Sequence, residues 1–99
     1  MTQVESAGND VIQFENDDDG FRRWVEGNSS GFVVNSYRSP TAGYLKLHRA
    51  TCTHLKLDSA PNLTADYTKS CSNNLNALKA WAKERLDAEL QPCHFCNPR

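Results

Sequence analysis

Apolar residues along this chain repeat with two different periods. Between residues 75 and 90, Leu75, Leu78, Ala82, Leu86 and Leu90 recur at spacings of three, four, four and four, with Trp81 on the same side. That stripe predicts an amphipathic helix, and the surrounding Ala, Leu, Lys and Glu favour one too. Ser70 or Ser72 is available to cap its start, Arg85 and Glu89 stand one turn apart, and Pro92 ends it. A shorter stripe of Phe21, Trp24 and Val25 follows Asn16 to Asp19. Those residues offer an N-cap and put acids in the first turn, where the helix dipole favours negative charge, and Gly27 is the terminator.

Between the two stripes the period falls to two. Residues 32–37 are rich in β-branched and aromatic side chains and predict a strand, while residues 38–43 are turn-like. Tyr44 to His48 then alternates, with Leu45 and Leu47 on one face and Tyr44, Lys46 and His48 on the other. An antiparallel hairpin is expected, joined by a third strand at Tyr67 to Cys71. Residues 55–66, with Pro61, read as a loop. Val11, Ile12 and Phe14 offer a short extra strand, within a segment 1–15 that is otherwise expected to be flexible. The elements describe an α+β fold in a single domain over residues 16–99: a small antiparallel sheet (hairpin plus third strand) with a short N-terminal helix and a long C-terminal helix. Trp24, Trp81 and Phe95 are expected to belong to its core.

Composition bounds this picture. Ninety-nine residues, 38% hydrophobic, make one domain with a thin core, since a chain this short buries only about 60–65% of its unfolded surface. No run approaches the roughly 20 apolar residues of a membrane span. The start at Met1 to Glu5 has neither a basic cluster nor an apolar stretch, so a cytoplasmic location and a reducing environment are expected. The net charge of −1 hides an asymmetry: residues 1–31 carry −5 and residues 32–99 carry +4. A basic body of that kind suits a polyanion, and an acidic first segment suits a protein contact.

In a reducing compartment the four cysteines, Cys52, Cys71, Cys93 and Cys96, point to metal before disulfide. Cys93-His94-Phe95-Cys96 lets one tight turn aim two thiolates at a single ion, with Pro92 and Pro98 stiffening it. A zinc site needs two more ligands. His48 and Cys52, ending a strand and separated by three residues, supply such a pair. The expected set is His48, Cys52, Cys93 and Cys96 around Zn2+, closing the fold by tying the hairpin to the chain end. A cross-link over about 40 residues restricts the unfolded chain, which matters most where the core is thin. Cys71 is either a small buried apolar residue or the fourth ligand in place of His48, and His54 and His94 are expected to be solvated.

A strand ending in His48-x3-Cys52, then a strand, a helix and Gln91-Pro92-Cys93-x2-Cys96-x-Pro98, resembles the metal-binding domain of Ada, the bacterial protein that repairs alkylated DNA. The resemblance covers residues 44–98 and rests on ligand spacing and the Pro-Cys-x-x-Cys-x-Pro ending. It implies a zinc scaffold that binds DNA, held by His48, Cys52, Cys93 and Cys96. The family has a methyl-accepting cysteine at the position matched by His48, and an imidazole cannot act as that thiolate. The stretch between the ligand pairs is also longer than in the family, and residues 1–43 have no counterpart.

Three functions follow as expectations. The first is a non-catalytic zinc module contacting nucleic acid (DNA), with Arg38, Lys46, Arg49, Lys56 and Lys69 meeting phosphates and Tyr37 and Tyr44 adding stacking. The second is a structural zinc domain that mediates protein–protein contact through the acidic run Asp17 to Asp19. An enzyme is the least expected, because four ligands leave no open metal position and no catalytic residue pattern stands beside them.

Overall fold

The structure is a computed structural model that describes residues 11–52 and 64–96. Its centre is the predicted hairpin. Strand β2 spans Phe32–Thr41 and β3 spans Tyr44–Arg49, paired antiparallel with Val33 opposite His48 and Asn35 opposite Lys46. Where a turn was expected over 38–43, the first strand runs on to Thr41, through an irregular register after Ser36, and only residues 42 and 43 turn. Pro40, with no amide to donate, falls in that irregular stretch.

The third strand, β4 at Tyr67–Ser72, pairs antiparallel with the other side of β2. Two short strands complete the sheet. Strand β1, Ile12–Phe14, lies antiparallel on β4, and β5, Gln91–Pro92, lies parallel beside β3. The order is β1-β4-β2-β3-β5, a mixed five-stranded sheet in place of the three antiparallel strands expected. Residues 12–14, expected within a flexible segment, are paired; residues 1–10 and the loop around Pro61 lie outside the described part of the chain.

Helix α1 (Asp18–Gly27) starts where the acids predicted. Asp17 caps it by accepting from the Gly20 amide at 2.9 Å, and Asp18 accepts from both the amide and the hydroxyl of Thr64, at 2.8 and 2.7 Å. The Asn16 and Asp17 amides donate back to Thr64, so the helix start is pinned to the chain entering β4. At the other end Gly31 leaves no room for a side chain: a Cβ there would stand 2.7 Å from the Trp24 ring and 2.8 Å from Asn73.

Helix α2 (Leu75–Leu86) carries the predicted stripe but differs at both ends. Its cap is Asn74, whose Oδ1 accepts from the Asn76 and Ala77 amides, while Ser70 and Ser72 remain in β4. It stops at Leu86, where Asp87 turns left-handed at φ 49°, so Leu90 packs from the following loop. The chain has to reverse there for β5 to reach the side of β3. Lys83 and Asp87 form an exposed ion pair at 2.9 Å one turn apart.

Alternation along the strands sends two side-chain sets to opposite faces. On one face Val34, Leu45 and Leu47 meet Leu78, Trp81 and Ala82 of α2. On the other, Val33 and Cys71 meet Phe21 and Val25 of α1, together with Ala50, Cys52 and Cys93. Trp81 is core as expected and Trp24 packs against this second cluster half-buried.

Candidate metal centre

The second face ends in the four residues singled out from the sequence. His48 is the penultimate residue of β3 and shares the face of Val33 and Cys71. After β3 the chain makes a tight turn, closed by the Cys52 amide on the Arg49 carbonyl at 2.9 Å, which swings the Cys52 side chain back beneath the strand end. The other pair arrives with β5. Parallel pairing of Gln91 and Pro92 with Lys46 and Leu47 continues in a bond from the Cys93 amide to the Leu47 carbonyl, 2.8 Å. Cys93 is thereby set next to the strand that carries His48.

Cys96 is held by Arg49. The Arg49 amide donates to its Sγ at 3.2 Å and the Arg49 Nε to its carbonyl at 2.9 Å. The two bonds fix the direction in which the Cys96 sulfur points. One ligand atom from each of His48, Cys52, Cys93 and Cys96 lies within 4.8 Å of all the others, and the Cys52 and Cys93 sulfurs are 3.9 Å apart. His48, Cys52 and Cys93 are buried, and Cys96 is half-buried. Burial works against ionisation of Cys93. The Cys96 and Phe95 amides and the Cys52 and Cys96 thiols overcome it, and its pKa falls below the usual thiol value.

Cys71 is not in this cluster. It is fully buried under α1, and burial pushes its thiol far up, so it is an inert member of the core and the four-cysteine alternative is not what the fold assembles. The four clustered groups can hold a metal ion: all are good donors when deprotonated, all four meet at one point, and they come from two segments 41 residues apart.

The basic residues expected at phosphates are distributed differently. Lys46 is half-buried and lines a groove of about 380 Å³ beside the cluster, together with Asn35, Tyr44, His94 and Phe95. Arg38 is exposed and donates to the Ala65 carbonyl at 3.0 Å. Arg49 is occupied with Cys96. Lys69 is only 6% exposed, and its ammonium donates to Asn35 at 2.6 Å between the rings of Phe21 and Tyr67. Burial lowers its pKa to about 8. The expectation that Lys69 stands at the surface is therefore corrected: its strand position lies under α1 and the tyrosines. Lys56 and His54 lie outside the described residues.

Two further features were not foreseen. Phe95, expected in the core, is 76% exposed on the turn between the last two cysteines. That turn must aim both sulfurs inward, which leaves the intervening side chains facing out. Tyr67 joins Tyr37 and Tyr44 in one aromatic cluster, because its register opposite Tyr37 puts the two side by side. The β alternation of Tyr67, Lys69 and Cys71 on one face was the available signal.

The fold and the cluster define a small α+β protein in which one histidine and three cysteines form a site able to hold a metal ion. No protein-family model, no curated protein and no solved structure matches the chain. The likeness to Ada accordingly rests on the residues quoted for it.

Proposed function

We propose that the protein is a small non-catalytic zinc module that contacts DNA. The observation that carries the reading is the convergence of His48, Cys52, Cys93 and Cys96 within 4.8 Å. Thiolates about 2.3 Å from a tetrahedral zinc stand about 3.8 Å from one another. The Cys52–Cys93 separation of 3.9 Å suits that geometry without rearrangement. Three thiolates and an imidazole fill the four positions, so such an ion holds the hairpin to the chain end and has no open site for substrate. His48 in place of a reactive cysteine fits the same role.

Contact with DNA is supported by the charge and chemistry beside the site. The groove next to the cluster is lined by Asn35, Tyr44, Lys46, His94 and Phe95 as well as ligands, with no carboxylate among them, and Arg38 stands exposed on the same hairpin. The acidic run that favoured a protein partner has local uses. Asp17 caps α1, Asp18 holds Thr64, and Asp19 lies 3.6 Å from Arg22. The nucleic-acid reading is thus the stronger of the two. Elemental analysis of protein purified without added metal should find one zinc per chain. Gel-shift titration of that protein should show DNA binding that weakens steeply with added salt. Absence of metal, or of any binding at low salt, refutes the respective half.

A further inference from the structure

The same sheet face that ends in the metal cluster carries three tyrosines at its other end. Tyr37 and Tyr44 have ring centroids 5.1 Å apart, and Tyr67 stands 6.1 and 6.3 Å from them. Tyr37 is 50% exposed and Tyr67 38%, high values for aromatic residues on a sheet whose other face is covered by α2. Helix α1 covers Val33, four residues before Tyr37, and its partner Cys71, four residues after Tyr67, and does not extend its core cluster to the rings.

Beneath them the polar groups are in fixed positions. The Asn35 amide donates to the Tyr44 hydroxyl at 3.0 Å and its carbonyl oxygen accepts from Lys69 at 2.6 Å. Lys69 in turn lies 5.6 Å from the centre of the Tyr67 ring. The buried ammonium and the amide hold the platform in place from below, so ordering it on binding costs little side-chain entropy. From Tyr44 the groove continues past Lys46 to Phe95, 76% exposed, at the metal turn.

We propose that this aromatic track, from Tyr37 and Tyr67 through Tyr44 and Lys46 to Phe95, binds single-stranded nucleic acid by stacking unpaired bases. The inference rests on the nucleic-acid reading above and narrows it to one strand form. Exposed aromatic faces recognise the flat faces of bases, and those are accessible only when the strand is unpaired, since a duplex keeps its bases stacked on one another. Lys46 lies between the aromatic ends, where a strand bridging them carries its phosphates, and Arg38 adds charge at the tyrosine end. A peptide partner has less to hold: the groove offers neither an aliphatic pocket nor a carboxylate for basic side chains.

The test is fluorescence anisotropy of the zinc-loaded full chain with a labelled single-stranded DNA of roughly ten nucleotides, and with the duplex of the same sequence. The single strand should bind at least tenfold tighter. Tyr37→Ala and Phe95→Ala should each weaken it by about tenfold with zinc content unchanged, and Tyr37→Phe should retain binding because the ring remains. Both side chains are exposed, so the substitutions leave the core intact, which circular dichroism checks. Equal affinity for duplex and single strand, or aromatic variants that bind like the wild type, overturns this inference and leaves DNA contact standing. Binding to neither form at low salt overturns both and returns the aromatic face to a protein partner.

Discussion

The two faces of one sheet are stabilised by different means. Under α2 the core cluster is apolar, Val34, Leu45 and Leu47 against Leu78, Trp81 and Ala82, and Ser36, Thr68 and Ser70 are buried on the same side of the strands. Under α1 the face is chemically mixed, with Phe21, Val25 and Val33 beside three cysteines, a buried lysine, and at its ends a histidine and three tyrosines. The first cluster is held by burial of apolar area, at about 25 cal/mol per Å², and the hydroxyls beside it are hydrogen-bonded. The second has too little such area around β5, a strand of two residues, to hold the chain end by packing. An ion shared by the four clustered residues would compensate there. In a small domain, the region with the weaker core is the one where chelation has the most to add.

That contrast can be broken most severely at the metal. Cys93→Ser should abolish metal binding and unfold much of the chain, because structural zinc contributes about 10–16 kcal/mol in small peptides, as much as the whole stability of an ordinary domain. Chelation of the wild-type protein should reproduce the loss. A cooperative melt by circular dichroism that is indifferent to both treatments would show that the second face stands without an ion.

Leu78→Ala acts on the apolar cluster under α2. Leu78 is fully buried, and its truncation should cost about 2–5 kcal/mol through lost transfer energy and the cavity left behind. The folded variant should still bind one zinc, since no ligand rests on α2. Urea melts and metal content read the two effects separately, and parallel loss of both would merge the faces into one unit.

The smallest effect concerns Lys69. Burial, opposed by the charge of Asp18, brings its pKa down to about 8, below that of an unfolded lysine near 10.4. Between those values the unfolded chain binds the extra proton, so this group makes stability rise with pH, and its penalty is fully present below about 8. Lys69→Met should therefore stabilise the zinc-loaded protein by about 1–2 kcal/mol at pH 7, an advantage that fades as pH rises from 8 to 10. Denaturant midpoints of both proteins at pH 7 and 9.5 measure it. A variant less stable at pH 7 would mean that the bond to Asn35 outweighs the desolvation of the ammonium.

Long-period features were readable before the structure. The leucine stripe of α2, the alternation of β3 and the stripe of α1 each extend over enough residues for a period to emerge, and burial of one face demands that period. The ligand pairs were readable for a different reason. Two donors that chelate one ion from a single turn must be three or four residues apart, so spacing alone exposes them.

Features created by the meeting of distant segments left no such trace. A two-residue strand has no period, so β5 and its parallel pairing with β3 were invisible, and with them the end of α2 at Asp87. Charge in the sequence is indifferent to depth. Lys46 and Lys69 look alike until α1 and Tyr67 close over one and leave the other in a groove. Arg49 reads as a phosphate ligand until β3 and the final turn come side by side and its guanidinium meets the Cys96 carbonyl. The sequence by itself determined which side chains have the chemistry to bind an ion, because ligand type and local spacing are properties of a short segment. Only the tertiary structure decided that His48 joins the cluster in place of Cys71, because that depends on which strand end the last turn docks against.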